Sequence, residues 1–345
     1  MVVEKERTEC QLDLKQNTLS FTLIDYRNNY FMSHDPKKII EFYNGFDNRE
    51  ELIQWMKERP KGVATIHEVE GDKDIIVVIP TSDFNGKFAT ECKENIFKGL
   101  HMIFVQSSEA PDLYFNYAHN CNVGIRKAME YGPKWVVVSN DDMKKGDDVE
   151  KMKEELSKIS PEDYDIVWTP DSFQHSHLIA LRKSNSIQRI MMSVFFHIPR
   201  LMPSSIAANI MRIRKKYGID IAPDYDKARM KVKLSRILSK KVVEFKITGS
   251  FGIFSRDLIR KKSYKLFNED YINGFEDTQL SLDVFLNNAN CANINYVIFD
   301  IGGASLGFNY TRVMREYINL ILFNKLYYNG QWPSKILQIE RASKR

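Results

Sequence analysis

The chain has 345 residues, 43% hydrophobic and 28% charged, with a formal net charge of +5. That balance excludes wholesale disorder, collagen and coiled coil, and the length suits one large domain with additions or two ordinary ones. The charge is unevenly placed: residues 182–246 hold 16 Lys and Arg against 4 Asp and Glu, a local +12 that leaves the rest of the chain at −7.

Cys10, Cys92, Cys121 and Cys291 lie far apart with no Cys-x-x-Cys pair. This points to reduced thiols rather than a disulfide framework or a structural zinc site. The N-terminal residues mix charges from the fourth position onward, without the apolar run of a signal peptide, and no stretch approaches the roughly 20 uncharged apolar residues of a membrane span. The expected location is cytoplasmic, with any membrane contact peripheral.

Residues 1–73 alternate short polar and apolar runs and include the helix-like REELIQWMKERP, so they are expected to form an N-terminal extension packed on the main domain. After Asp74 the run Ile75 to Ile79, closed by Pro80, is β-branched throughout and predicts a strand buried on both faces. A helical stretch, KFATECKENIFKGL, leads to a strand over His101–Gln106, and a second over 112–131 leads to a strand over Trp135–Ser139. Strand, helix, strand, helix, strand predicts a parallel, doubly wound α/β sheet. The helix DVEKMKEELSKI and the strand DIVWT continue it.

The basic segment 182–246 then reads as a helical insertion built from IQRIMMSVFFHI and SSIAANIMRIRKKYG. The α/β pattern resumes with GSFGIFSRDLI, a loop LFNEDYINGFED, a helix from Thr278 to Leu286 and a strand Tyr296–Phe299. From Tyr310 an amphipathic helix runs toward a basic tail.

In an open parallel sheet, ligands bind beyond the carboxyl ends of the strands, so the residues after each strand are the candidates. Thr81-Ser82-Asp83 follow the first strand and suit hydrogen bonding to a nucleotide base or ribose, or equally a Ser/Asp turn. Asn140-Asp141-Asp142 follow the strand WVVVS. Adjacent carboxylates repel, and a Mg2+ or Mn2+ ion would relieve that repulsion while presenting oxygen ligands to a diphosphate; the same acids also suit a helix N-terminus.

Glu276-Asp277, after Gly274-Phe275, suit general-base chemistry on an attacking hydroxyl, or capping of the helix that follows. Asp300 ends the last strand and opens the loop Ile301-Gly302-Gly303-Ala304-Ser305-Leu306-Gly307, whose glycines permit close approach to phosphate or lid movement. That loop matches neither a Walker loop nor GxGxxG, which disfavours an ATPase or a dinucleotide enzyme.

Taken in order, IIVVIPTSD, FVQSS, NCNVGIRKAMEYGPKWVVVSNDDM, GSFGIFSRDLI, FNEDYINGFEDTQLSLD and FDIGGASLG resemble a family 2 inverting glycosyltransferase of GT-A fold, most nearly its rhamnosyltransferase and galactofuranosyltransferase-like branch. The resemblance covers residues 74–181 and 247–328. It implies a Rossmann-like nucleotide-sugar-binding domain with a mostly parallel sheet over 74–309, interrupted by the insertion and followed by a C-terminal helix and tail over 310–345.

By this resemblance Pro80, Thr81, Ser82, Asp83, Gln106, Asn122, Gly124, Asn140 and Asp141 would bind the donor. Asp142, with Asp300, would hold the divalent metal. Asp277, next to Glu276, would be the catalytic base, and Tyr310–Tyr328, with Arg315 and Asn319, matches the branch's C-terminal helix. Two positions depart from the pattern: Gln106 where the family often has Asp, and Asp300 where many relatives have His. Aspartate remains an oxygen ligand for a hard cation.

The implied partners are a nucleoside-diphosphate sugar and a glycan or lipid-linked acceptor. The basic insertion reads as a solvated face, as an anionic-membrane surface in which Met191, Met192, Phe195, Phe196 and Ile198 bury beside Arg182, Lys183 and Arg189, or as a homo-oligomer contact. Nucleic acid is not expected, since no binding motif is present. His175 and His177 lack further ligands nearby in sequence. A catalytically silent nucleotide- or sugar-binding module of the same fold and a nucleotidyltransferase stand as alternatives.

Overall fold

The computed structural model describes residues 25–108, 112–170, 177–183, 204–219, 221–225, 242–287, 289–301 and 310–327. The run IQRIMMSVFFHI, His175, the glycines of the 302–307 loop and the basic tail lie outside the described residues.

The centre is a seven-stranded sheet of β1 (Thr65–Val69), β2 (Asp72–Thr81), β3 (Leu100–Gln106), β4 (Trp135–Ser139), β6 (Ile166–Trp168), β10 (Phe251–Ser255) and β11 (Cys291–Asn293), in the order β1-β3-β2-β4-β10-β6-β11. β2 pairs in parallel with β3 and β4, and β6 with β11, whereas β1 runs antiparallel to β3 and β10 antiparallel to both β4 and β6. The sheet is therefore mixed and mostly parallel, with five strands pointing one way.

Two features differ from the sequence reading. The sheet begins at Thr65, because β1 joins its edge. GSFGIFS enters as a reversed strand, which a fully buried apolar run does not reveal. All five of its residues are buried, as a parallel strand's would be.

Period-two alternation divides the sheet's side chains between two cores. Ile75, Val77, Ile79, Met102, Phe104 and Val137 face the helices α3 (Lys87–Glu91) and α5 (Val149–Ser157) and the π-helical turn Cys92–Ile96. Ile76, Val78, Ile103, Val105 and Val138 face α4 (Tyr117–Met129), α7 (Arg256–Lys261) and α8 (Glu276–Leu286). Each such side chain contributes roughly 1.5–3 kcal/mol on burial.

The other face of α8 meets a third core. There α1 (Pro36–Asn44) and α2 (Arg49–Glu58) pack with α6 (Ser204–Lys216) and α9 (Tyr310–Tyr327). Tyr43 donates from its hydroxyl to Met314 O at 2.6 Å, and Arg315 donates to Met32 O and Ser33 O. The expected amphipathic character of α9 fails in its second half, since residues 317–324 are buried consecutively between α1 and α2 on one side and the 271–275 segment on the other.

The basic insertion is not purely helical either. β7 (His177–Lys183) pairs antiparallel with β8 (Ile221–Tyr225) and β9 (Val242–Ile247) in a separate three-stranded sheet, and α6 lies between them in sequence. On α6 the basic residues do not form one solvated face. Arg214 is buried, and the Lys216 ammonium donates to Tyr43 O and Phe46 O on the α1 side. No described helix is long and apolar enough to cross a membrane.

Gly124 shows how closely α4 lies on the sheet. A Cβ there would meet Val78 Cγ1 at 2.4 Å and Val105 Cγ2 at 2.9 Å. Gly124→Ala is expected to cost about 1–3 kcal/mol by overpacking, read as a lower urea midpoint with an unchanged slope.

Candidate functional site

The carboxyl ends of β2, β3 and β4 share one edge with the start of β10, because the reversed strand pairs Phe251 with Ser139. Asn140 N donates to Ser250 O at 2.9 Å, so the segment after β4 is anchored to the turn before β10. The next residues form β5 (Met143–Lys145), which pairs antiparallel with β12 (Ile298–Asp300). Asp300 stands opposite Met143, and Ile301 N donates to Asp142 O at 3.1 Å. This two-stranded ribbon brings Asp142 and Asp300 together across more than 150 residues of sequence.

Charge at this edge is held under strain. Asp142 is 4% exposed. Burial, followed by the charges of Asp300 and Asp141, pushes its carboxyl up to about 6. Asp141 is raised by burial and partly relieved by the Thr81 hydroxyl, which donates to its Oδ2 at 2.7 Å. Asp300 accepts from the Ser250 hydroxyl. Among the described residues no group of three or more His, Cys, Asp or Glu is arranged to hold a metal ion. What the edge offers is a pair, Asp142 and Asp300, which matches the one or two carboxylates that Mg2+ takes from a protein when phosphates and waters complete its shell.

The second acidic group sits at the N-terminus of α8. Asn273, Gly274 and Phe275 have φ of 52°, 155° and 75°, and for Asn273 and Phe275 this is the left-handed region that side chains enter at a cost of about 1–3 kcal/mol. Glu276 Oε2 accepts from Gly274 N at 2.8 Å and so secures this corner. Burial, then the neighbouring Asp277, pushes Glu276 up to about 8. Asp277 Oδ1 accepts from Thr278 N at 2.6 Å.

Tyr117 connects the two groups. Its hydroxyl donates to Asn140 Oδ1 at 2.9 Å, and its backbone N donates to Asn273 Oδ1 at 2.9 Å. Burial, with Cys121, Glu276 and Asp277 nearby, holds that hydroxyl protonated.

Of the residues expected to bind a donor, Thr81, Ser82, Asp83, Gln106, Asn140 and Asp141 lie at this edge, just beyond Pro80, which is itself part of β2. Of the two readings of Thr81-Ser82-Asp83, the local turn is formed, with Asp83 N donating to Thr81 Oγ1 and Asn85 N to Asp83 Oδ1, while the Thr81 hydroxyl reaches Asp141. Gln106 Oε1 accepts from Phe84 N and ties the following loop to β3.

Asn122 and Gly124 instead face inward. The Asn122 carboxamide donates to Phe267 O and Glu269 Oε1 and accepts from Phe267 N, clamping the segment that leads to the acidic corner. Asn319 does the same from α9, bonding both the N and the O of Ile272.

Tyr117, Ser250 and Asn273 were not legible as site residues in the sequence, because each acts through a pairing that only the folded sheet creates. Asn120, one turn before Gly124, is fully buried with neither carboxamide atom hydrogen-bonded. Its clustering with Asn116 and Asn122 is the one signal the sequence carried for it.

No family model matches the chain, and no curated protein matches it in sequence.

The Glu276 carboxyl has a sign-definite consequence. Its folded value lies above the roughly 4.3 of an unfolded glutamate, so the folded state keeps a proton the unfolded state has lost, and stability falls as pH rises from about 4.5 to about 8. Glu276→Gln is expected to flatten the change in urea midpoint between pH 6 and pH 8, and an unchanged pH slope in the variant would contradict the assignment.

Proposed function

We propose that this protein is an inverting glycosyltransferase that moves a sugar from a nucleoside-diphosphate donor to an acceptor hydroxyl with a Mg2+- or Mn2+-type cation, on a GT-A type nucleotide-binding domain. The observation that carries the reading is the buried Asp142 carboxyl facing Asp300 and Asp141 at the carboxyl edge of a mostly parallel sheet, joined through Tyr117 to a second acidic corner. Opposed carboxylates at that edge are stabilised by positive charge, which is also what a departing diphosphate needs.

Asp142 and Asp300 would hold the cation, whose contribution is Lewis-acid stabilisation of the leaving nucleoside diphosphate. Thr81 keeps Asp141 turned toward β2 through its 2.7 Å bond. Thr81, Ser82, Asp83 and Gln106 border the nucleoside.

Asp277, in the first turn of α8, takes the proton from the acceptor hydroxyl as its oxygen attacks the anomeric carbon. Attack comes from the side opposite the diphosphate, so configuration inverts. Glu276 enters this step protonated, which spares Asp277 a second full negative charge beside it. Tyr117 fixes the spacing between donor and acceptor sides through Asn140 and Asn273. By the family resemblance, the acceptor is a glycan or lipid-linked glycan met at the cytoplasmic face of a membrane.

Thermal-shift titration with UDP-, GDP- and dTDP-sugars, with and without Mn2+, tests the donor side, since a ligand of the folded state raises Tm. One nucleotide class is expected to give a metal-dependent shift that Asp142→Ala loses. No shift with any donor would overturn the reading, and release of pyrophosphate instead of a nucleoside diphosphate would assign a nucleotidyltransferase. Asp277→Asn is expected to lower transfer about 10²–10⁴-fold while donor binding persists. Undiminished transfer would remove Asp277 as the base.

A further inference from the structure

Arg59 ends α2. Pro60 follows it and stops the helix, and the Arg59 backbone N closes the last turn on Trp55 O at 2.9 Å. The side chain is 1% exposed and turns to the segment between β3 and α4. There the guanidinium donates from Nε to Asn28 Oδ1 at 2.8 Å, from Nη1 to Tyr114 O at 3.3 Å and Pro60 O at 3.4 Å, and from Nη2 to Leu113 O. Asn28 is itself buried and donates to the same Leu113 O at 3.1 Å.

All four acceptors of Arg59 are neutral. Burial pushes its guanidinium down to about 10, and the nearby Tyr114 and Asp112 offset this only in part. The Asp112 carboxylate is engaged with backbone, accepting from Tyr114 N at 2.8 Å and Val63 N at 3.2 Å. A planar fork of five N–H groups can serve several carbonyls at once, which a lysine ammonium cannot. The backbones also touch: at Gly62, where φ is 76°, a Cβ would stand 2.4 Å from Asp112 Oδ2 and 2.9 Å from Tyr114 O. The N-terminal extension thus holds 112–114 by side chain and main chain together.

That hold runs directly into the groups that join the two acidic sets. Phe115 O accepts from Asn273 Nδ2 at 3.2 Å, and Asn116 caps α4 by accepting from His119 N at 2.9 Å. Tyr117 follows, with its N on Asn273 Oδ1 and its hydroxyl on Asn140 Oδ1. Residues 113–117 are therefore bonded one after another, with Arg59 at the outer end. No strand ladder sets the position of this run, so its side-chain anchors do. A displacement of 1 Å among reacting groups costs about 10²-fold in rate.

We propose that Arg59 is a positioning residue for sugar transfer: through the 113–117 run it fixes Tyr117, and with it the gap between the Asp142 edge and the Asp277 corner. The N-terminal extension is then part of the transfer machinery as well as of the third core. This rests on the glycosyltransferase reading.

Two readouts test it. Amide hydrogen exchange by NMR, on the full chain without nucleotide or metal, reads the hold on Tyr117 alone. The Tyr117 amide is expected to exchange at least about tenfold faster, near 1.4 kcal/mol of lost protection, in Arg59→Lys and in Asn28→Ala, and Val137 in β4 is expected to change less. Exchange at Tyr117 that is unchanged in both variants, or raised no more than at Val137, overturns the positioning.

The second readout is hydrolysis of whichever of the UDP-, GDP- or dTDP-sugars raises Tm, followed as nucleoside diphosphate release with Mn2+. Arg59→Lys is expected to lower kcat about tenfold or more with KM for the donor unchanged, and to cost nothing further in a Tyr117→Phe background. An equal loss in both backgrounds overturns the proposal, since a side chain that only stabilises the fold does not act through the Tyr117 hydroxyl. No hydrolysis by the wild type is a separate failure, of the glycosyltransferase reading, and the exchange comparison still decides whether Arg59 holds Tyr117.

Discussion

Acids held against acids set the terms for the rest of this structure. At one edge of the sheet Asp142 faces Asp300 and Asp141, and at the start of α8 Glu276 faces Asp277. Each arrangement is unfavourable in isolation and exists because surrounding packing enforces it. The β5–β12 ribbon fixes the first, with Ile301 N on Asp142 O as its last rung. The left-handed turn through Asn273 and Phe275 fixes the second, with Glu276 bonded back to Gly274.

The supports for these groups come from amides. Asn122 holds Phe267 and Glu269, Asn116 holds the carbonyls of Glu269 and Tyr271, Asn273 reaches Phe115 O, and Asn319 holds both backbone groups of Ile272. A carboxamide donates and accepts at once, so it can satisfy irregular backbone that no strand pairs with. The segment 267–275 is stitched in this way from α4 on one side and α9 on the other. That explains how a stretch without regular structure is held against the domain, with Phe267, Tyr271, Ile272 and Phe275 buried, and carries a strained corner.

What could be read in the sequence was the part governed by local pattern. The β-branched runs of β2 and β4, the helix stops and the acidic strand ends follow from periodicity and turn chemistry, and β4 has the predicted bounds, Trp135–Ser139. Long-range pairing was not legible. Nothing in GSFGIFS says whether the strand runs up or down, because both orientations bury the same side chains. Nothing in MKK and IFD says that they pair. Asn122 carried a donor-binding expectation through its motif, yet its bonds are internal, since its partner segment lies about 145 residues away. The basic insertion was misread for another reason: helical periodicity in Ser204–Lys216 is genuine, but each strand on either side carries one or two charges that break its apolar pattern.

The bond from Tyr43 to Met314 spans 271 residues and belongs to a core that α1 and α2 share with α9. At a synthesis rate of about 5–20 residues per second, the N-terminal helices wait roughly 15–50 s on the ribosome before the segment that covers them emerges. During that interval Phe42, Phe46, Trp55 and their neighbours have no permanent cover. Completion of the third core, and with it the bracing of α8, therefore waits for a segment made some 271 residues after Tyr43.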